Sequence, residues 1–202
     1  MDNTKEDLAG LKAACLEAAR ESIAEHGVER LSLREVARRL GVSHQAPYKH
    51  FASRDHLLAE VIRKCFQDFA RFLDNRERQQ NPDQDLSCLG SRYLQFALER
   101  PLEYRLMFGT PWPEPAEEVG LVKDALHAFN ILRGDLKGIH GDSADAQPKV
   151  DLDAMMIWSS MHGLASIFQS SAVRHLDLAN GVQAQAPAYI MDRLRAMLSA
   201  QG

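Results

Sequence analysis

Residues 32–57 of the chain read SLREVARRLGVSHQAPYKHFASRDHL. Ser32 and Glu35 stand three residues apart, the spacing of a capping box, which predicts a helix that starts at Leu33. Four apolar residues then recur at the spacing of one buried helix face: Leu33, Val36, Ala37 and Leu40. Gly41 follows, and glycine is the residue that most readily takes the left-handed conformation at a helix end. The stretch therefore predicts a short amphipathic helix over residues 33–40.

A second helix is predicted directly after the first, at about residues 44–50. Ser43 can cap it, and only Val42 lies between Gly41 and Ser43, so the two helices must cross steeply. Two helices joined by such a tight turn form a helix-turn-helix, whose second helix fits the major groove of DNA. Pro47 is compatible with this helix, because the first helical turn loses no hydrogen bond to proline.

The rest of the chain shows helical periodicity with short breaks. Helices are predicted at about residues 5–26, 33–40, 44–50, 54–75, 86–98, 101–108, 116–138, 149–175 and 184–200. No segment alternates like a strand, and GIHGDSADAQP at residues 138–148 is typical of a surface loop. The predicted fold is all-α. An N-terminal three-helix helix-turn-helix domain is joined by a long helix to a C-terminal helical bundle, giving domains 1–60 and 61–202.

The composition is that of a globular protein with a sizeable core, since 45% of the 202 residues are hydrophobic. No run of about 18 apolar residues predicts a transmembrane helix, and the polar start MDNTKEDLAG lacks the apolar core of a signal peptide. Three widely spaced cysteines, Cys15, Cys65 and Cys88, fit neither a metal quartet nor a disulfide framework. We expect a cytoplasmic protein with no membrane contact, metal or cofactor.

The net charge of −4 argues against a nucleic-acid partner, but the distribution of charge argues for one. Residues 30–54 carry a net charge of +5, whereas residues 57–202 carry −4. Local cations decide how well phosphates are neutralised, so a basic module on an acidic body can bind DNA. The alternative is that the helix at 33–40 merely has a charged, solvated face.

Residues 8–62 resemble the N-terminal domain of the TetR family of transcriptional regulators. The matching segments occur in family order: EHG at 25–27, LSLREVA at 31–37, LGVS at 40–43, YKHF at 48–51 and SRDHLL at 53–58. Pro47 departs from the family pattern, in which an apolar helix former usually precedes the tyrosine. The resemblance implies a DNA-binding regulator, and family habit favours a repressor.

The helix-turn-helix offers ten candidate DNA contacts. They are Ser32, Arg34, Ser43, His44, Gln45, Ala46, Tyr48, Lys49, His50 and Arg54. Gln45 can pair bidentately with adenine, Ala46 can meet a thymine methyl, and His44 suits a base or a phosphate. The resemblance places Arg34 where it reaches guanine or the backbone. The serines at helix N-termini and the remaining polar side chains suit phosphate oxygens.

Specific binding by a module of this size needs a dimer that faces a palindromic operator. The resemblance implies a homodimer that forms through the last two helices, at 149–175 and 184–200. It also implies that a small hydrophobic ligand enters the C-terminal bundle and releases the protein from its operator. The identity of that ligand and the operator sequence are not contained in the chain.

Trp158, His162 and Gly163 resemble the Trp and His-Gly of the WHG subgroup of TetR C-terminal domains. Trp158 and His162 are one helical turn apart, on one face. Glycine in a helix interior costs about 1 kcal/mol relative to alanine, so Gly163 predicts a close approach of helices. The alternative is that Trp158 belongs to the core and His162 is hydrogen-bonded within the bundle.

An apolar, aromatic and Met-rich set is the candidate lining of the ligand site. It consists of Phe66, Phe69, Tyr93, Phe96, Met107, Phe129, Trp158, Met161, His162 and Phe168. His162 or Arg105 can orient a polar end of the ligand. For each residue the alternative is ordinary bundle core.

Three other classes of protein compete with a regulator. An enzyme is disfavoured, because the sequence has no His-Glu-x-x-His, Cys-x-x-Cys, nucleophile elbow or phosphate-binding glycine loop. A helical adaptor explains the amphipathic helices but not the +5 segment at 30–54. A redox sensor would use Cys15, Cys65 or Cys88, but these lie on predicted apolar stripes or helix starts, which favours buried thiols.

Overall fold

The computed structural model describes residues 3–199, with side chains for 10–114 and 116–198. Residues 3–199 form eight α-helices and no strand, which confirms the all-α class. The helices are α1 Asn3–His26, α2 Leu33–Leu40, α3 Arg54–Asp74, α4 Pro82–Glu99, α5 Pro101–Phe108, α6 Leu121–His140, α7 Gln147–Gln169 and α8 Val182–Ser199. Within this described range, 3₁₀ helices occur at Val28–Arg30, Pro47–Lys49, Glu114–Ala116 and Ser171–His175. Across the same residues, no helix combines the length and apolar character needed to span a bilayer.

Three helix ends differ from the predicted ones by more than two residues. α4 begins at Pro82 rather than at Leu86, because the Asn81 side chain caps it and Pro82 occupies the first helical position. α6 begins at Leu121 rather than near residue 116, because Gly120 has a φ of 79° and interrupts the helical conformation. α7 ends at Gln169 rather than near 175, where Ser170 adopts an extended conformation and its side chain caps the following 3₁₀ helix. Residues 114–120 form a 3₁₀ helix and a turn before α6, and the hydrophobic periodicity does not detect either break.

The chain divides into two compact units. One contains the residues up to Gln67 together with Arg105–Ala125, and the other contains Asp68–Tyr104 together with the residues from Leu126 onwards. The division falls within α3, the helix in which the sequence placed the domain boundary. The predicted limit near residue 60 stays a prediction, and its outer limits at residues 1 and 202 lie outside the described residues.

α2 begins and ends as the local sequence predicts. Ser32 Oγ accepts a hydrogen bond from the Glu35 amide at 3.2 Å, which satisfies one of the free N–H groups of the helix start. Gly41 has a φ of 65°, and the amides of Gly41 and Val42 donate to α2 carbonyls at 3.2 and 3.1 Å. These two bonds form a Schellman motif. The prediction of a helix over 33–40 is therefore confirmed at both ends.

The core of the first unit forms around Phe51, which is completely buried. The rings of His50 and His56 lie edge-on to it, with centroids 6.2 and 6.1 Å away. α1 and α3 also contribute buried apolar side chains to this unit: Cys15, Ala18, Ala19, Ile23, Leu57, Leu58 and Ile62.

A buried ionic cluster stabilises the second unit. Arg76 has a completely buried side chain and donates to Asp135 at 2.6 and 2.7 Å and to Asp85 at 3.3 Å. Arg78 donates to the same two carboxylates at 2.7 and 2.6 Å. These bonds connect the segment after α3 to α4 and α6. The sequence presents residues 75–85 as a polar stretch between helices, and the structure turns part of it into core.

The predicted close helix approach at Gly163 is wrong within the chain, since a Cβ added there would meet no described atom within 4 Å. The close approach occurs at Gly90 in α4. A Cβ on Gly90 would lie 2.7 Å from Met191 Sδ in α8, so this position has no room for a larger residue without movement of Met191.

Candidate functional site

A shallow groove on the first unit brings together four of the predicted DNA contacts. Arg34 from α2 and His44, Gln45 and Tyr48 from the following segment line a space of about 410 Å³. All four side chains are exposed, and 46% of Tyr48 is accessible. The groove thus combines a guanidinium, an imidazole, an amide and a phenol, which are donors and acceptors suited to base edges and phosphates.

The second helix of the motif was wrongly predicted as a regular helix. Residues 44–50 form a turn followed by the 3₁₀ helix Pro47–Lys49, in which Pro47 is buried. The Ala46 amide donates to the Ser43 backbone carbonyl at 2.9 Å, a bond of 3₁₀ spacing. Pro47 has no amide hydrogen, so the α-helical bond from this position to Ser43 cannot form. Ser43 therefore begins this element through its carbonyl.

The other predicted contacts from this segment differ in exposure. Ser43 and Lys49 are exposed, whereas Ala46 and His50 are half-buried. Nε2 of His50 is buried and has no hydrogen-bond partner among the described residues. Phe51 next to it is completely buried and belongs to the core.

Salt bridges reduce the number of cations available on α2. Arg38 donates to Glu35 at 2.7 and 2.8 Å, and Arg39 pairs with Glu25 at 2.5 Å and with Glu35 at 3.0 Å. The hydrogen bonds from Arg38, followed by those from Arg39, lower the pKa of Glu35 to about 2. Among the described side chains, no carboxylate pairs with Arg34, which leaves its guanidinium available for a ligand.

Arg54 was predicted to contact phosphate, and the structure uses its guanidinium inside the unit. It donates to the backbone carbonyls of Val28 and Leu31 at 2.7 and 3.2 Å and to Asp55 at 2.8 Å. These bonds hold the start of α3 against the segment that precedes α2. Ser32 also has a structural bond, but its hydroxyl accepts there and can still donate to a phosphate oxygen.

A polar aromatic cluster lies in the second unit, around His162. The Tyr104 hydroxyl lies 2.6 Å from His162 Nδ1 and 2.8 Å from the Tyr93 hydroxyl. The Tyr104 and His162 rings are stacked, with centroids 5.6 Å apart. Burial lowers the pKa of His162, so its ring is neutral at neutral pH and Nδ1 can accept from Tyr104. Burial also raises the pKa of Tyr93 to about 12.

The sequence identified Tyr93 and His162 but missed Tyr104, which connects them. Tyr104 is 3% exposed on α5, next to Arg105, which had been considered as a polar anchor. A tyrosine in a short helix after a proline break has no distinguishing pattern. Its role depends on a histidine 58 positions further along the chain.

The ten predicted ligand-site residues do not lie in one unit. Phe66 and Met107 belong to the first unit, and the other eight belong to the second. Six of the ten are at most 8% exposed: Phe66, Phe69, Tyr93, Phe96, Met107 and Met161. Trp158, Phe129 and Phe168 are half-buried, and the Trp158 ring contacts those of Phe129 and His162 at 5.8 and 6.1 Å.

The cysteines and histidines form no metal site within the described side chains, where no group of three or more ligating residues converges. Cys15 and Cys65 are buried, and Cys88 is half-buried. Burial raises the pKa of the Cys15 thiol, which lowers its reactivity at neutral pH.

Two family models match the chain. The model described as bacterial regulatory proteins, tetR family, matches residues 16–61. The model described as tetracyclin repressor-like, C-terminal domain, matches residues 86–194, which is more than half of the chain. Together they include the groove and most of the second unit.

Similar proteins of known sequence or structure include regulators from several bacteria. The HTH-type transcriptional regulator Rv1816 of Mycobacterium tuberculosis is 27% identical over 140 residues, which cover 63% of this chain and 60% of that protein. A protein of unknown function from Rhodococcus sp. RHA1 has a TM-score of 0.72 at 24% identity, covering 92% of this chain and 94% of that one. A bacterial regulatory protein in the tetR family from Rhodococcus RHA1 has a TM-score of 0.63 at 15% identity, covering 93% and 96%.

Proposed function

The chain belongs to the tetR family of bacterial regulatory proteins, and on this premise we propose that it is a homodimeric transcriptional repressor, released from a palindromic operator by a small hydrophobic ligand. The family is one of regulatory proteins and not of enzymes. The match with this chain covers 60% of the length of the regulator Rv1816.

The groove of Arg34, His44, Gln45 and Tyr48 carries the proposal. Its side chains are exposed, its guanidinium has no carboxylate partner among the described side chains, and it lies on the helix-turn-helix. In our assignment Gln45 and Arg34 read base edges, and Lys49, Ser43 and Ser32 contact phosphates. His44, Ala46, Tyr48 and His50 complete the contact surface. Arg54 positions the domain through its backbone bonds.

Exposed apolar side chains support a homodimer through α7 and α8. On α7, Leu152, Met155 and Ile167 are 71%, 49% and 50% exposed, and on α8 Tyr189 is 59% exposed. Soluble proteins rarely leave such a row of large apolar side chains uncovered. Gly163 lies in the same row on α7 and has open space above it, which leaves room for a second copy to approach.

The dimer is tested by Ile167→Glu, with Leu98→Glu as the matched control. Leu98 is 46% exposed and lies on α4, outside the proposed interface. We expect Ile167→Glu to yield monomers in light scattering after gel filtration, because two buried carboxylates would repel each other. Leu98→Glu should leave the dimer intact. Dimers of equal mass for both variants would remove α7 from the interface.

The cluster around His162 supports a ligand site in the second unit. Phe129 and Trp158 supply a half-buried aromatic wall, and Tyr104 and His162 supply hydrogen bonds to a polar end. Trp158, His162 and Gly163 are also the residues that resemble the WHG subgroup, to which we assign the chain. The ligand must bind the arrangement that does not fit the operator better than the one that does, since equal affinity shifts no equilibrium.

Fluorescence anisotropy tests the function directly. The protein is titrated against labelled DNA from upstream of its own gene and against a scrambled duplex, over a salt series. We expect tighter binding to the upstream DNA by a factor of about 10³ or more, the range of specific recognition. Equal affinity for both duplexes, with a steep salt dependence, would mean phosphate binding without an operator in this region.

Gln45→Ala tests the assignment of base contacts. We expect loss of preference at one base-pair position, by about 1–3 kcal/mol, because an amide paired with adenine is removed. Gln95→Ala is the matched control, because Gln95 is an exposed glutamine on α4. Unchanged affinity and base preference in Gln45→Ala would refute the recognition assignment.

A further inference from the structure

A cavity in the first unit shares no lining residue with the DNA groove and contains none of the ten predicted ligand-lining residues, but its wall includes Arg105, the alternative polar anchor predicted from the sequence. It has a volume of about 590 Å³ and is lined by residues 27–29, by residues 54, 55 and 58 of α3, and by residues 105 and 109–113. This volume is in the range of sites that hold small organic molecules. The side chains that line the cavity determine which class of small molecule it can bind.

Trp112 forms a rigid aromatic wall of this cavity. Its Nε1–H donates to the Met107 backbone carbonyl at 3.1 Å, and its ring meets Phe66 edge-on at 5.5 Å. These contacts fix the orientation of the indole, yet 41% of the residue remains accessible. A fixed indole with an open surface can stack on a planar ring, and ordering it costs no further entropy on binding.

Arg105 supplies a cation without a partner. Its side chain is exposed, and no described carboxylate pairs with it. Gly109 allows the chain to turn closely over it, since a Cβ at this position would lie 3.1 Å from the Arg105 carbonyl oxygen. Guanidinium groups bind carboxylates through two parallel hydrogen bonds, which gives both affinity and orientation.

The other charges of the cavity limit the ligand to one negative charge. Arg54 and Asp55 pair with each other at 2.8 Å, and Arg54 Nε and Nη2 donate to the backbone carbonyls of Leu31 and Val28. Glu29 is exposed, and its carboxylate lies over Gly27, where Oε2 would be 2.8 Å from an added Cβ. A second anionic group on the ligand would be repelled by Glu29 and would find Arg54 already paired.

We propose that this cavity is a binding site for small aromatic monocarboxylates, with the ring on Trp112 and the carboxylate on Arg105. The proposal concerns a site in the first unit and does not depend on the repressor function. It is distinct from the cluster around His162, which belongs to the second unit.

Isothermal titration calorimetry with 2-naphthoate tests the site on the full chain. We expect binding that weakens about tenfold or more in Arg105→Gln, because a charge-assisted pair of hydrogen bonds is lost. Trp112→Phe should weaken it severalfold, since phenylalanine keeps the contact with Phe66 but offers a smaller ring. Arg174→Gln, which changes an exposed arginine of the second unit, should bind as the parent does.

Two further arms distinguish this site from its rivals. The neutral 2-naphthamide should bind about tenfold more weakly than 2-naphthoate, and 2-naphthylmethylammonium should also bind more weakly. His162→Ala should leave 2-naphthoate binding unchanged. The proposal is overturned if the ammonium binds tighter, if Arg105→Gln binds 2-naphthoate as well as the parent, or if His162→Ala abolishes binding.

Discussion

Two charge-rich segments of this chain differ in where they place their cationic side chains. The helix-turn-helix segment over 30–54 keeps cations such as Arg34 and Lys49 at the surface. In the segment over 75–85, the Arg76 side chain is buried in the core, where it pairs with Asp85 and Asp135. Both segments are polar and contain arginines, so residue type alone does not distinguish them. A buried guanidinium is tolerated only when its charge is compensated, so Arg76 needs its carboxylate partners. Such partners do not by themselves bury an arginine, since Arg38 and Arg78 also pair with carboxylates and remain 70% and 58% exposed.

Asp135→Asn removes the charge of one partner of the buried Arg76 and should have the largest effect on the free energy of unfolding. Removing the charge that accepts two short bonds from Arg76 leaves a completely buried guanidinium undercompensated. We expect a loss of about 3–5 kcal/mol in the free energy of unfolding, measured by urea denaturation. Asp151→Asn is the control, because the Asp151 side chain is 47% exposed and its pair with Arg133 should contribute about 0–1 kcal/mol. Equal losses in both would show that burial is not the cause.

Ser32→Ala tests how much a local hydrogen bond near the surface stabilises the helix-turn-helix segment. Losing the cap that accepts from the Glu35 amide should cost about 1 kcal/mol of stability. Ser91→Ala is the control, since the Ser91 hydroxyl is exposed and bonds a carbonyl one turn earlier in α4. A loss in Ser91→Ala as large as that in Ser32→Ala would contradict a special role for the cap.

Lys49→Ala removes an exposed cation that should serve DNA and not stability. We expect the slope of log affinity against log salt to fall in magnitude by about one, with similar losses on every duplex. The free energy of unfolding should change by less than about 0.5 kcal/mol. Lys123→Ala, an exposed lysine on α6, is the control and should leave the slope unchanged. A sequence-dependent loss in Lys49→Ala would make Lys49 a base contact.

The smallest expected effect is a pH dependence of the free energy of unfolding that comes from His162. Its pKa in the folded protein lies below the usual 6.5 because of burial, so the unfolded chain binds a proton first as the pH falls. The free energy of unfolding should therefore decrease as the pH drops from about 6.5 through the lowered pKa. Subtracting the urea curves of His162→Gln from those of the parent isolates this contribution. A difference that is constant across this pH range would show that burial does not perturb His162.

The structural features that depend only on neighbouring residues could be predicted from the sequence. The α2 cap and its glycine end both follow from spacings of a few residues. The prediction failed at residues 44–50, where Pro47 removes one amide and changes the helix to 3₁₀ geometry. Four of the candidate DNA contacts line one groove and stay a prediction, and the bonding of Arg54 to Val28 and Leu31 was not predicted.

The residues of the proposed ligand site could be predicted less well from the sequence than the DNA-binding segment. Aromatic and methionine residues were selected by type, and the structure distributes them over both units. Tyr104, which bonds His162, was not among them. Apolar residues at helical spacing line a core and a ligand site alike, so periodicity cannot separate the two.

By itself, the sequence determined the all-α class, both ends of α2 and the excess of positive charge over residues 30–54. These depend on hydrogen bonds and periodicities that span one or two helical turns. Only the tertiary structure decided that Asp135 compensates Arg76, that Tyr104 bonds His162, and that Trp112 and Arg105 share a cavity with the start of α3. Those contacts join residues far apart in the chain, and their strength comes from burial, which is a property of the folded molecule and not of local sequence.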